Sequence, residues 1–111
     1  MLIGFDQMKE VHEVGSKGGE GDNHLRIFAD DFCRIVRGRL AAGAYVGLHT
    51  HEKDSEMIYI LSGHGKILYQ GEYLPLQPGD CHYCPMGHAH SLINDSDADL
   101  TFFAVVPELN A

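Results

Sequence analysis

The sequence predicts an all-β domain of the sandwich or barrel class. Short alternating or apolar runs recur along the chain, with glycine, proline and aspartate turns between them. No segment of ten or more residues carries the apolar period of a helix. Thirteen glycines and no tryptophan suit short strands joined by tight turns.

Taken in order, the first stretch with strand character is KEVHEV, which alternates enough to add an edge strand. Residues 15–23, GSKGGEGDN, read as a loop that either folds over a barrel mouth or stays mobile. LRIFA at 25–29 and FCRIVRGRL at 32–40 are strand-like, and Ala41-Ala42-Gly43 turns the chain into an expected strand over 44–51. EMIYIL at 56–61 is β-branched and aromatic, and Ser62-Gly63 closes it. GKILYQ and EYLPL flank Gly71, the expected tip of a hairpin. In Gln77-Pro78-Gly79-Asp80, proline then glycine occupy the central positions of a type II turn. Short strands follow at 80–84 and 90–94, and a long one at 99–106. In that last strand Phe102 and Phe103 fall on opposite faces, as do Val105 and Val106. Only one of these faces can look into a small barrel, so a homodimer is expected to cover the other.

A length of 111 residues bounds the chain to one domain, divided here into an N-terminal segment with its glycine-rich loop (1–24) and a barrel (25–111). A net charge of −8 leaves no basic stripe for nucleic acid and repels anionic membrane surfaces. The longest apolar run, MIYIL, is too short to cross a bilayer, and no secretory signal is visible. Three cysteines, an odd number, argue against a disulfide framework and for a reducing cytoplasm.

The chemistry concentrates between Gly43 and Gly63. His49 and His51, two apart on a strand, aim their imidazoles at one side. After a polar turn, Glu-Lys-Asp-Ser, the returning strand opens with Glu56. Two imidazoles and a carboxylate gathered across a hairpin suit a divalent transition metal.

A second stretch completes the pattern. The first reads G-x5-H-x-H-x4-E-x6-G, with Gly43, His49, His51, Glu56 and Gly63. The second reads G-x5-P-x-G-x2-H-x3-N, with Gly79, Pro85, Gly87, His90 and Asn94. Together they resemble the two motifs of the cupin superfamily, with the short interval of small single-domain members. Residues 1–42 carry little of the resemblance.

The resemblance implies a double-stranded β-helix, or jelly roll, with a metal held inside the barrel by His49, His51, Glu56 and His90. Three imidazoles and a carboxylate suit iron, manganese, nickel, cobalt, copper or zinc better than magnesium or calcium. Four protein donors leave about two positions open on an octahedral ion, where substrate, water or dioxygen binds. The expected function is to act on or bind a small oxygenated metabolite. As an enzyme the chain would be a metal-dependent oxygenase or isomerase. The alternative is a non-catalytic module that binds or senses a sugar or organic acid.

Other residues carry weaker signals. Tyr45 shares parity with His49 and His51, which offers a hydroxyl to a substrate oxygen, and Ile58 and Ile60 share parity with Glu56 as core. His88 is a candidate general base or alternative ligand at the pocket mouth. The plainer expectation for both His88 and His82 is a place behind the ligands or facing solvent. Cys81 and Cys84, three apart on a strand, point to opposite faces and cannot share an ion, so both read as small, mostly buried residues. Cys33 is expected in the core or an interface. Arg37 and Arg39 share one face, expected to be a solvated exterior.

Overall fold

The computed structural model describes residues 1–108, and the end of the 25–111 segment (109–111) lies outside them. Among the described residues, antiparallel strands form two sheets. The first sheet has the order β1 (Val11–Val14), β2 (Asp22–Ala29), β3 (Cys33–Leu40), β10 (Leu100–Pro107), β5 (Glu56–Ser62) and β8 (Cys81–Cys84). The second has the order β4 (His49–Thr50), β9 (Ala89–Ile93), β6 (Gly65–Tyr69) and β7 (Glu72–Leu76). The chain alternates between the sheets, as a double-stranded β-helix requires, and the apolar faces meet between them. Helix is confined to two single 3-10 turns, Phe5–Gln7 and Ser16–Gly18.

Strand β10 shows how the alternation packs. Leu100, Phe102, Ala104 and Val106 are buried, while Thr101, Phe103 and Val105 are half-buried on the outer face. Phe102 pairs with Gly38 on β3, and a Cβ at position 38 would lie 2.1 Å from its ring. The glycine therefore makes room for the aromatic ring that fills the barrel. Outside, Phe103 meets the edge of Phe5 from the N-terminal segment. Part of the outer apolar face is thus covered by the chain's own first residues. Arg37 and Arg39 sit on this exterior, paired with Asp6 and with Glu10 and Asp99.

The turns follow their residues. Asp80 N–H donates to the Gln77 carbonyl at 3.1 Å across Pro78-Gly79, with Gly79 at φ 94°. Strand β2 begins at Asp22 and runs through position 24, so the N-terminal segment and the barrel share one sheet.

The largest departure from expectation lies over 44–51. Only His49–Thr50 is a strand; Tyr45 makes isolated bridges to Glu20 and Ile93. The cause is the glycine-rich loop, which takes the hydrogen bonds a neighbouring strand would take. Tyr45 N–H donates to the Glu20 carbonyl at 2.9 Å, and Gly47 N–H to the Ser16 carbonyl at 2.9 Å. A Cβ on Gly47 would lie 2.1 Å from the Lys17 carbonyl oxygen, and one on Gly19 would lie 2.0 Å from that of Tyr45. Two glycines let these backbones touch.

Asn94, the last residue of the second motif, is fully buried. Its amide nitrogen donates to the carbonyls of Leu40 (2.9 Å), Ala41 (3.0 Å) and Ala98 (2.8 Å), and its oxygen accepts from the Ser96 backbone (3.0 Å) and hydroxyl (2.7 Å). It thereby ties the end of β3 to the turn before β10. An Asn94→Ala variant leaves buried carbonyls without donors, and urea unfolding is expected to show a loss of about 3 kcal/mol, since each such group costs about 1–3 kcal/mol.

Candidate metal centre

Four elements place the four donors. His49 on β4 lies directly opposite His90 on β9. Glu56 opens β5, and His51 stands at the end of the β4 segment, anchored by its backbone. His51 N–H donates to the His88 carbonyl at 3.0 Å, and Gly87 N–H to the His51 carbonyl at 2.6 Å. The three imidazoles surround one point, with ring centroids 4.8 to 4.9 Å apart.

The donor atoms converge. His51 Nε2 lies 2.9 Å from His90 Nε2 and 3.2 Å from Glu56 Oε1, and His90 Nε2 lies 2.9 Å from the same oxygen. One donor from each of His49, His51, Glu56 and His90 falls within 4.8 Å of all the others, a group able to hold a metal. Bonds of about 2.1 Å place neighbouring donors about 3.0 Å apart on an octahedron and about 3.4 Å apart on a tetrahedron. The three separations among His51, His90 and Glu56, 2.9 to 3.2 Å, are short enough for one ion to reach all three atoms.

Each histidine is gripped by its other nitrogen. His49 Nδ1 lies 2.8 Å from the Gly47 carbonyl, His51 Nδ1 lies 2.6 Å from Asp54, and His90 Nδ1 lies 3.0 Å from His82 Nε2. Protons held at Nδ1 of His49 and His51 leave their Nε2 lone pairs for an ion, the usual arrangement behind metal-ligating histidines. The donor set and its supports therefore fit a divalent transition metal.

The electrostatics follow from burial and pairing. Burial alone would raise the carboxyl pKa of Glu56. Hydrogen bonds from His51 and His90, and the charges of both rings, outweigh it and bring the pKa down to about 2. His51 is raised, first by its bond to Glu56 and then, against the cost of burial, by Asp54. His49 is lowered, chiefly by burial.

These groups line part of a cavity of about 420 Å³. Leu25, Val36, Ile58, Leu92 and Phe102 form apolar walls, and Lys17, Arg34 and Lys53 are among the charged residues that line it. Ile60 is fully buried core, as its parity implies.

The other sequence candidates fall elsewhere. Val46 lines the cavity and Tyr45 is absent from its lining, because the irregular segment breaks the parity that would carry Tyr45 inward. His88 is also absent from the lining; its Nδ1 lies 2.6 Å from the Tyr69 hydroxyl. Cys84 is buried and Cys81 exposed, on opposite faces of β8, and Cys33 is half-buried. Cys84 also lies with His82 and His90 in a second group of nearby donors. Burial pushes its thiol up to about 11, and His90 Nδ1 is already engaged by His82, so this group is a poor metal site. Sequence reasoning read Asp54 only as a turn residue and gave His82 no definite partner. Their signals were Asp54's place three residues beyond His51, and His82's inward parity with Cys84.

Comparison with known families matches a Cupin domain over residues 36–106. The chain belongs to the cupin family. A curated relative, the "Oxalate-binding protein" of Thermotoga maritima, is 38% identical, with 96% of this cupin and 93% of the relative covered. The crystal structure of a protein described as a predicted oxalate decarboxylase, also from Thermotoga maritima, superposes with a TM-score of 0.92. It is 29% identical, covering 98% of this chain and 100% of that one. A sugar phosphate isomerase of the cupin superfamily from Silicibacter pomeroyi shares the fold at TM-score 0.80 and 21% identity, covering 97% of this chain and 76% of that one.

The low pKa of Glu56 sets an acid limit on the metal-free fold. A carboxylate whose pKa falls from 4.5 to about 2 contributes stability that is present above pH 4.5 and lost as pH falls toward 2. Urea midpoints of metal-free protein across this window are expected to fall, with Glu56 responsible for on the order of 3 kcal/mol. A Glu56→Gln variant is expected to lack that share of the pH dependence.

Proposed function

We propose that this cupin holds a divalent transition metal through His49, His51 and His90 Nε2 and Glu56 Oε1, and uses it to bind a small dicarboxylate of the oxalate type. The observation that carries the reading is the convergence of four donors on the lining of a cavity, each histidine gripped from behind. The 38% identity to the Thermotoga maritima oxalate-binding protein supports the ligand class. When bound, the ion supplies positive charge and two open coordination positions, which a small dicarboxylate fits.

The chain's own residues do the rest. Asp54, the Gly47 carbonyl and His82 hold the ligand rings in orientation. Val36, Ile58, Leu92 and Phe102 limit water on one side of the bound anion. Lys17, Arg34 and Lys53 offset most of the charge of the four lining carboxylates, Glu13, Glu52, Asp54 and Glu56, which would otherwise oppose entry of an anion. Three thiols without a disulfide suit a reducing cytoplasm.

Turnover is the second reading, favoured by the likeness to the structure described as a predicted oxalate decarboxylase. The two readings part on products. Metal-loaded protein, its ion identified by elemental analysis, is titrated with oxalate by calorimetry and then assayed for formate and carbon dioxide. Saturable oxalate binding is expected, and a His49→Ala, His90→Ala double variant is expected to lose both metal and oxalate by more than about 100-fold. Metal content unchanged in the double variant overturns the ligand assignment. Metal uptake without oxalate binding overturns the ligand class, and oxygen consumption or isomerisation with other small metabolites would then point to an oxygenase or isomerase.

A homodimer completes the reading. Phe103 and Val105 on β10 and Met57, Tyr59 and Leu61 on β5 form an outer apolar strip, with Tyr83 beside it on β8. Tyr59, Leu61 and Tyr83 are 44%, 44% and 54% exposed, and a second copy would cover them. Light scattering is expected to give twice the chain mass of 12.3 kDa, and Tyr59→Glu with Leu61→Glu to give the monomer.

A further inference from the structure

The three ligand histidines are not gripped alike. His49 faces a carbonyl and His51 a carboxylate, groups that can only accept a proton. Each fixes its histidine with the proton on Nδ1 and the lone pair on Nε2. His90 instead faces another imidazole, which can donate or accept. Were His82 to donate from Nε2, the His90 proton would move to its own Nε2, among the converging donors, and one ligand would be lost.

We propose that His82 is the positioning residue for His90, accepting its Nδ1 proton when the metal is bound. The proposal rests on the metal assignment made above. Three observations carry it. The His82 Nε2 to His90 Nδ1 distance is 3.0 Å, and both rings are buried, at 8% and 1% exposure. His82 is fixed independently of His90 by β8, where it pairs with Ile58 on β5 and shares its inward face with Cys84. The Tyr69 ring meets its edge at a centroid distance of 5.1 Å and closes the other side. The groups around the His82–His90 pair are therefore Tyr69, Cys84 and, beyond His90, Glu56, His49 and His51. Among the described residues, Glu56 is the one carboxylate paired with either ring, and it faces His90 Nε2 rather than the shared proton. Binding of an ion at His90 Nε2 decides which imidazole carries that proton, because the ion excludes a proton there.

The test uses the full chain and zinc, a diamagnetic probe. Zinc affinity is measured by competition with a chromophoric chelator for the parent, His82→Phe and His82→Gln. Histidine ring nitrogens are assigned by NMR in the zinc-loaded parent. His82→Phe removes the acceptor and is expected to weaken zinc binding about 10- to 100-fold, the usual effect of losing such a support. His82→Gln retains an acceptor near the Nε2 position and is expected to stay within about threefold of the parent. In the loaded parent, His82 is expected to carry its proton on Nδ1, with Nε2 bare. A purely structural role would lower the thermal midpoint of the phenylalanine variant and leave zinc affinity alone, and that result overturns the proposal. If His82→Phe does not fold, the glutamine variant and the parent's tautomer decide. A loss in His82→Gln beyond about threefold, or a proton on His82 Nε2 in the loaded parent, overturns the proposal. A parent that takes up no zinc or other transition ion overturns the metal assignment itself, and the role of His82 with it.

Discussion

Two imidazoles facing each other across one antiparallel pair set the geometry of this protein. His49 on β4 and His90 on β9 are direct partners in the ladder, and strand pairing alone brings them within reach of one ion. The contact is long-range in sequence, so it exists only if the whole roll closes. β9 must pair with β6 on its far side, which places Lys66 opposite Ile93 and Tyr69 opposite His90. β5 must lie in the other sheet to present Glu56 from across the barrel. A slip of one residue in β9 would turn His90 away and bring Ala89 or Ser91 to the ligand position. Asn94 helps to guard that register, since its side chain bonds the carbonyls of Leu40, Ala41 and Ala98 just beyond the strand.

Burying a carboxylate among histidines is costly unless each member has a partner. Glu56 meets two imidazoles, His51 meets Asp54 as well, and His90 meets His82. The pairing explains why burial fails to raise the carboxyl pKa and why His51 is raised while His49 is lowered. It also separates two conditions of one cluster. The donors are held together by shared hydrogen bonds, and an ion held there would take the place of the protons at the Nε2 atoms. The contacts on the Nδ1 side lie away from that exchange and would continue to orient the rings.

The fold and the four donors were legible because their signals are periodic or spaced. Glycines at 43, 63, 79 and 87 all have positive φ, and the runs between them read directly as strands. The residues around the donors were less legible, for physical reasons. Tyr45 was placed inward by counting alternate positions from His49, which assumes a regular strand. The glycine-rich loop instead takes the hydrogen bonds of Tyr45 and Gly47, and Val46 becomes the cavity residue. Gly19 and Gly47 signal that contact only once they are known to be neighbours. Asp54 lies in an irregular turn, where no period says which way a side chain points. His82 was ambiguous because its role depends on a partner eight positions away on another strand.

The placement of positive charge bears on what the cavity admits. Arg26, Arg37 and Arg39, on the outer face, are paired with Asp6, Glu10 and Asp99, and Lys66 is paired with Asp95. Among the described residues, Lys17, Arg34 and Lys53 have no carboxylate within ion-pair distance, and all three line the cavity. Of the cavity's acids, Glu13 accepts from Ser16, Asp54 is held by His51, and Glu56 is one of the four donors, leaving Glu52. The arginines of the outer face are thus paired within the chain, while the three cations at the cavity, like exposed Lys9 in the N-terminal segment, are not paired among the described residues. The lining as a whole sets three cations against four carboxylates, a formal charge of −1 with histidine neutral, so the cations offset most of the acid there without reversing the sign of a chain at −8. An anion entering the cavity would meet cations that offset most of the carboxylates, and the charge of an ion held by the four donors would decide the balance.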